Sequence, residues 1–226
     1  MHVNADDPGP YYHDFTWLGL PTGQLSPMHE ANQRAKAPVI AAYILLSLAR
    51  LGSRGVADAT VAELFCADGF YAMFAARFGA ARVVGYDNDR EGHLASAQRM
   101  RDRLGLGQVR FEQTAVEAIP ESERYDVVIN AGGLYHVDDP VSVLDRSYAM
   151  ARHFLIVQNV VSLATDDPDY FERPAPGLDW GNRFSRQSFD ALVRARGWNI
   201  VAADFNVLQG NARPEDRGSL YYLIGK

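Results

Sequence analysis

The chain has 226 residues, 47% of them hydrophobic and 22% charged, a composition that suits one globular domain with a full core and modest additions. Its net charge of −6, from 22 basic and 28 acidic side chains, supplies no broad basic face to displace counterions from phosphates, so a small or neutral ligand is expected rather than nucleic acid. One cysteine excludes an internal disulfide, the polar start MHVNADDPGP shows no secretory signal, and the longest apolar run, Val39 to Leu48, is about half of a roughly 20-residue span; a cytoplasmic protein with no membrane partner is expected.

Residues 1–26 mix prolines, glycines and the aromatics Tyr11, Tyr12, Phe15 and Trp17 without periodicity. Too aromatic for a disordered tail, they are expected to pack as a cap. A helix follows from about Pro27 to Leu51, with a break expected near Pro38 and a stop at Gly52. Val61 to Asp89 then reads as strand, turn, helix, strand. VAELF is apolar around Glu63, Cys66-Ala67-Asp68-Gly69 makes a turn, FYAMFAARFG has helical spacing up to a glycine, and ARVVGYD is a second buried strand. A helix ending near Gly105 leads to a third strand at 108–116, which runs into a loop of Ala115, Val116 and Glu117. The fourth strand, 125–130, runs at once into Ala131-Gly132-Gly133-Leu134-Tyr135-His136, followed by a helix at 141–151 and a fifth strand at 153–161. Residues 162–184 read as an irregular insertion, and long loops of that kind are usually functional. Ser185 suits the N-cap of a last helix, and strands at 199–208 and 219–224 suit an antiparallel pair at a sheet edge.

This alternation predicts an α/β fold, a Rossmann-like and mainly parallel sheet with helices on both faces. One domain over 1–226 is expected: cap and helix 1–52, a cofactor-binding half 57–161, a lid insertion 162–184, and a C-terminal helix and hairpin 185–226. Ligands of such sheets collect outside the carboxyl ends of the strands. The Cys66–Gly69 turn, Asp87, the Ala115–Val116 loop and Asn130–His136 all fall there, so one cofactor is expected to touch all four.

The turn discriminates between cofactors. A dinucleotide site needs G-x-G-x-x-G so that the main chain can approach a pyrophosphate. Here there is one glycine, Gly69, and an acidic Asp68 where phosphates would sit. That carboxylate suits a ligand with an ammonium and a sulfonium, as in S-adenosylmethionine (SAM), with Asp87 placed for its ribose. Cys66 reads as a small turn residue rather than a nucleophile.

Methyl transfer needs a positioned acceptor and, for a hydroxyl, a base. His136 is the candidate base, with Asp138 or Asp139 to orient its ring; the alternative is a histidine that only bonds a neighbouring loop. Gly132 and Gly133 would let the backbone approach the cofactor, and Tyr135 would flank the sulfonium or else sit in the core. The insertion carries Asp166, Asp167, Asp169, Tyr170, Phe171, Trp180 and Arg183, and aromatics with carboxylates suit sugar recognition. The acidic cluster has ligand chemistry for Mg²⁺, but acidic loops are ordinarily just solvated, and no metal is predicted. His13, His29 and Glu30 are expected to face the same pocket.

ELFCADGFYA with Glu63 before the turn, GYDND, NAGGLYHVDDP and the N-terminal YYHDF…G…SP segment resemble class I SAM-dependent methyltransferases. The likeness covers about residues 10–160 and falls in a branch that includes wobble-uridine tRNA-modifying enzymes and bacterial sugar O-methyltransferases. The resemblance implies a seven-stranded sheet with one antiparallel strand. It implies a cofactor site lined by Phe65 (where the family often has glycine), Asp87, Asn88, Val116, Glu117, Ala131 and Tyr135; for the basic cofactor and RNA contacts that the tRNA enzymes add, Lys36 and Arg34 are the only candidates. It also implies O-methylation of a small saccharide, such as a polymethylated-mannose precursor, with tRNA modification or non-catalytic SAM binding as alternatives.

Overall fold

The structure is a computed structural model that describes residues 9–226. Residues 1–8, and with them most of the stretch read as lacking a secretory signal, lie outside the described residues. The following segment packs as a cap, with Tyr11, Phe15 and Leu18 buried against the first helices.

Helix α1 spans Pro27–Ser53, with Ser26 as its N-cap and proline at the first position, where a missing N–H is harmless. It runs through Pro38 and Gly52, contrary to the expected break and stop. An interior proline loses a backbone bond, about 3 kcal/mol. The burial of Ala37, Ile40, Ala41, Ile44 and Leu51 on the sheet outweighs it. The left-handed terminator is Gly55, at φ +80°, with Val56 N–H bonding Leu51 O and Gly55 N–H bonding Gly52 O. By length and composition α1 could cross a bilayer, which the length of the apolar run alone did not reveal; here one face of it lies in the core.

Five parallel strands follow: β1 (Thr60–Leu64), β2 (Arg82–Asp87), β3 (Val109–Gln113), β4 (Tyr125–Ala131) and β5 (Ala151–Ser162), lying side by side as β3-β2-β1-β4-β5. The insertion is not wholly irregular. It contains β6 (Phe171–Glu172) and β7 (Arg183–Ser185), and β7 continues the sheet beside the end of β5. With β8 (Asn199–Val207) and β9 (Gly218–Gly225) the sheet has nine strands among the described residues, two more than expected. β9 lies antiparallel between β5 and β8, the one reversal within the seven long strands.

Period-two alternation splits the core between the sheet's two faces. Along β5, Phe154 and Ile156 pack with α1 and α2 (Phe70–Arg77), while Leu155 and Val157 face the other layer, which includes α4 (Pro140–Met150) and α5 (Arg186–Arg194). Helix α3 (Leu94–Leu104) ends at the left-handed Gly105, as its spacing predicts. Ser185 does cap α5, through reciprocal bonds with Ser188 at 2.9 Å.

Candidate cofactor and acceptor site

Between β1 and α2 the backbone turns through three left-handed residues, Phe65 (φ +58°), Ala67 (+48°) and Gly69 (+75°). Two of them carry side chains, a strained arrangement of the kind that clusters at functional sites. Gly69 has no alternative: a Cβ there would lie 2.3 Å from the Phe111 ring. The Phe65 ring lies where a Cβ on Gly133 would be, 1.8 Å from that position, so the first turn position is filled by a ring packed on the Gly132–Gly133 backbone.

The acids of this turn are engaged within the chain. Glu63 is buried and accepts the Ala72 N–H at 2.7 Å, capping the first turn of α2. Burial, with Asp68 and Asp87 adding like charge, holds its carboxyl well above the usual carboxylate range. Asp68 is fully buried, and both its oxygens belong to His13: Oδ1 lies 2.5 Å from Nδ1, and Oδ2 accepts the His13 N–H at 2.8 Å. The expectation that Asp68 faces a ligand cation is therefore corrected; it ties the N-terminal segment to the turn. Cys66 is buried, its thiol pKa pushed up by burial, in keeping with a turn residue.

Asp87 ends β2 with Oδ2 accepting the Ala67 N–H at 2.9 Å and Oδ1 accepting the Asp89 N–H at 2.7 Å. Asn88 caps the next turn through Arg90 N–H, and Ala115 leads into a 3-10 turn at Val116–Ala118 in which the Val116 side chain is core and Glu117 is exposed. Asn130 is turned away: its Nδ2 bonds Ser147 on α4 at 2.9 Å, so its side chain does not enter the cleft. Ala131 packs against the α1 side of the core, and Gly132 is left-handed at φ +81°. SAM fits this donor set, because each Asp87 oxygen keeps a lone pair for a ribose hydroxyl. At Gly132 the nearest atoms to a Cβ are Gln158 Oε1 and Tyr135 OH at 3.7 and 3.9 Å, and Gln158 Oε1 is buried without a partner.

Beyond β4 the Leu134–His136 turn is clamped by a residue that sequence reasoning missed. Asn182 Nδ2 donates to Leu134 O and Val137 O at 2.8 Å, and its N–H donates to Tyr135 O. Neither Asp138 nor Asp139 orients His136: the first pairs with Arg173 at 2.9 Å and the second caps α4 through Ser142 N–H. The His136 ring stacks on Trp180, 5.0 Å between centroids and 5° from parallel. It remains reachable by solvent, yet the surrounding protein, with Arg183, Lys36 and Arg90 nearby, pushes its pKa down to about 4. The face of Tyr135 is taken by the Arg183 guanidinium, 5.3 Å from the ring centre, rather than left open for a sulfonium.

A cavity of about 380 Å³ lies next to this turn, within the usual range for small-ligand sites. Tyr12 and His13 of the cap, His29 and Lys36 of α1, Trp180 and Arg183 of the insertion, and Arg213 and Asp216 before β9 form its wall. Of the residues expected at a cofactor, Tyr135 and the basic candidate Lys36 are on this wall; of those expected at an acceptor, His13, His29, Trp180 and Arg183 are, and Tyr170 is not. Tyr170 instead donates to Glu172 at 2.7 Å on the outer side of the insertion. Glu30 pairs with Arg34 in an exposed helical pair, so neither contributes here. His136 lies behind Trp180, off the wall. Residues 208–216 had no signal in the sequence beyond a gap between two strands. Among the described residues no three or more His, Cys, Asp or Glu side chains converge as a metal site.

The family model for a methyltransferase domain matches residues 56–175, more than half of the chain. The chain belongs to the methyltransferase-domain family. The methyltransferase domain is 32% identical over 139 residues to a ubiquinone biosynthesis O-methyltransferase of Ruegeria pomeroyi, covering 58% of this chain and 53% of that protein. It is 28% identical over 90 residues to a tRNA U34 carboxymethyltransferase of Campylobacter jejuni, covering 39% of this chain and 30% of that one. The chain thus spans about half the length, or less, of these curated relatives. Its fold is similar to that of magnesium protoporphyrin IX methyltransferase from Synechocystis with bound SAM (TM-score 0.62, 15% identity, 89% and 85% of the two chains). It is also similar to that of the N-terminal domain of EvdMO1 with bound S-adenosylhomocysteine, SAH (TM-score 0.63, 20% identity, 96% and 91%). The family is that of methyltransferase domains, and the fold is shared with methyltransferases solved with SAM or SAH bound.

Proposed function

We propose that this domain methylates a hydroxyl of a small acceptor, a saccharide or similar polyol, seated in the 380 Å³ cavity. The observation that carries the reading is the meeting of cradle and cavity at one residue pair: Asp68 belongs to the turn, and its partner His13 is on the cavity wall. Bound SAM supplies a methyl group on a sulfonium. Asp87, the Ala67–Gly69 backbone, the Ala115–Val116 loop and Gly132 would hold it.

The chain's own residues then do the rest. Asp68 holds His13 Nδ1, leaving Nε2 as the ring atom for the acceptor's proton, and Phe70 stacks on the ring at 5.2 Å to fix its plane. Trp180, Tyr12 and Tyr135 offer ring faces or edges, while Asn32, Gln33, Asn211 and Asp216 offer hydrogen-bonding groups, a mixture suited to a sugar. His136 holds Trp180 in place by stacking, and it is the second residue to test as the base.

The test is a screen of polyols and sugars with methyl-labelled SAM, followed by His13→Gln and His136→Gln on the best acceptor. Loss of kcat in His13→Gln with SAH affinity kept supports the reading. Full turnover in His13→Gln sinks His13 as base; full turnover in both sinks histidine catalysis. Tight SAH binding with no labelled product from any acceptor would favour a non-catalytic binding domain.

A further inference from the structure

The cavity wall carries three cations, Lys36, Arg183 and Arg213, against one carboxylate, Asp216. This stands out in a chain of net charge −6. Asp216 is shared: Arg183 Nη2 donates to Oδ1 at 2.7 Å, and Arg213 Nε lies 3.3 Å from Oδ2. One carboxylate therefore serves two guanidinium groups.

Arg213 has further partners, its Nη2 donating to Pro176 O and its Nε lying 3.8 Å from Glu215, so the unmatched donors belong to Arg183 and Lys36. Arg183 is only 3% exposed, and its Nε and Nη1 have no hydrogen-bond partner. Lys36, half-buried on α1 at the cavity wall, forms no hydrogen bond or ion pair among the described residues. Buried cations are ordinarily paired. Burial without a counterion pushes the Lys36 ammonium down to about 8, and the positive potential of Arg183 and Lys36 is felt by His136.

We infer that the acceptor carries an anionic group, a carboxylate or a phosphate, held in this cavity between Lys36 and Arg183. The inference rests on the reading of the cavity as the acceptor site and narrows the acceptor from any polyol to a sugar acid, a sugar phosphate or another small hydroxyl-bearing anion. Bidentate or charge-assisted bonds to the group would satisfy the orphan guanidinium N–H and the ammonium together. They would also fix the acceptor's orientation relative to His13.

Anion binding can be measured without turnover. Inorganic phosphate and, separately, acetate are titrated calorimetrically into full-length protein saturated with SAH, with matched ionic strength. One of the two should bind to wild type, and its identity names the group. Lys36→Met should weaken that binding at least about tenfold, and Lys36→Arg should retain most of it. Lys36→Met should fold at least as well as wild type, because an apolar chain of similar shape replaces a half-buried charge that has no counterion. The inference is overturned if neither anion binds, or if Lys36→Met binds it as wild type does. It is also overturned if Lys36→Met weakens SAH itself at least as much, which would assign the cations to the cofactor's own carboxylate. Failure of the methyl-transfer reading looks different: the anion binds, but no hydroxyl acceptor of either charge is methylated.

Discussion

His13→Ala should loosen the upper side of the cofactor cradle, and the size of the effect follows from three contacts. The substitution removes the 2.5 Å bond from Nδ1 to Asp68 but leaves the backbone N–H bond at 2.8 Å. It also removes an imidazole stacked on Phe70 and edge-on to Tyr71. A hydrogen bond to a charged group contributes about 1.5–3 kcal/mol, and the ring contacts add about 0.5–1.5 kcal/mol. The expected loss is about 2–4 kcal/mol, a fall in Tm of about 5–15 °C for a domain of this size. The decisive measurement is a double-mutant cycle with Asp68→Asn, followed by thermal and urea denaturation with and without SAH. If the pair is the clasp described above, the two substitutions couple by more than about 1 kcal/mol, and the coupling grows when SAH is bound. Additivity to within about 0.5 kcal/mol would refute the clasp.

Gly69→Ala combines a left-handed φ of +75° with a Cβ 2.3 Å from Phe111, so it should cost about 2–5 kcal/mol. Phe111→Leu in the same chain should restore part of that loss in Tm, and no recovery would count against the contact. Glu63 has its pKa raised in the folded state. Its proton therefore stabilises the fold fully below the unfolded value of about 4.3, and that stabilisation is lost as pH rises through the folded value. Glu63→Gln stays neutral, so the stability of wild type relative to Glu63→Gln should decline as pH rises from about 5 to 8; a constant difference contradicts the assignment. Asn182→Ala leaves the carbonyls of Leu134 and Val137 without their donor, at about 2–3 kcal/mol, and should speed hydrogen exchange at the His136 amide. Unchanged protection there would show that the turn does not depend on the clamp.

What the sequence determined by itself is local: the strand–turn–helix order, the glycine at 69, the acid ending β2, the cap at Ser185. Each follows from backbone dihedrals, periodicity or capping within a few residues, and such preferences are written in adjacent positions. Tertiary structure decided whom each side chain meets. Asp68 looked like half of a cation site, and only folding brings His13, 55 positions away, onto its carboxylate. Asn130 falls at the right strand end, yet the pleat sends its side chain to Ser147. Lys36, Arg183 and Asp216 come from a helix, an insertion and a late turn, and no spacing links them. Pairing across the chain is settled by how the layers pack and which buried charges they bring together, a property of the assembled core that no single stretch of residues encodes.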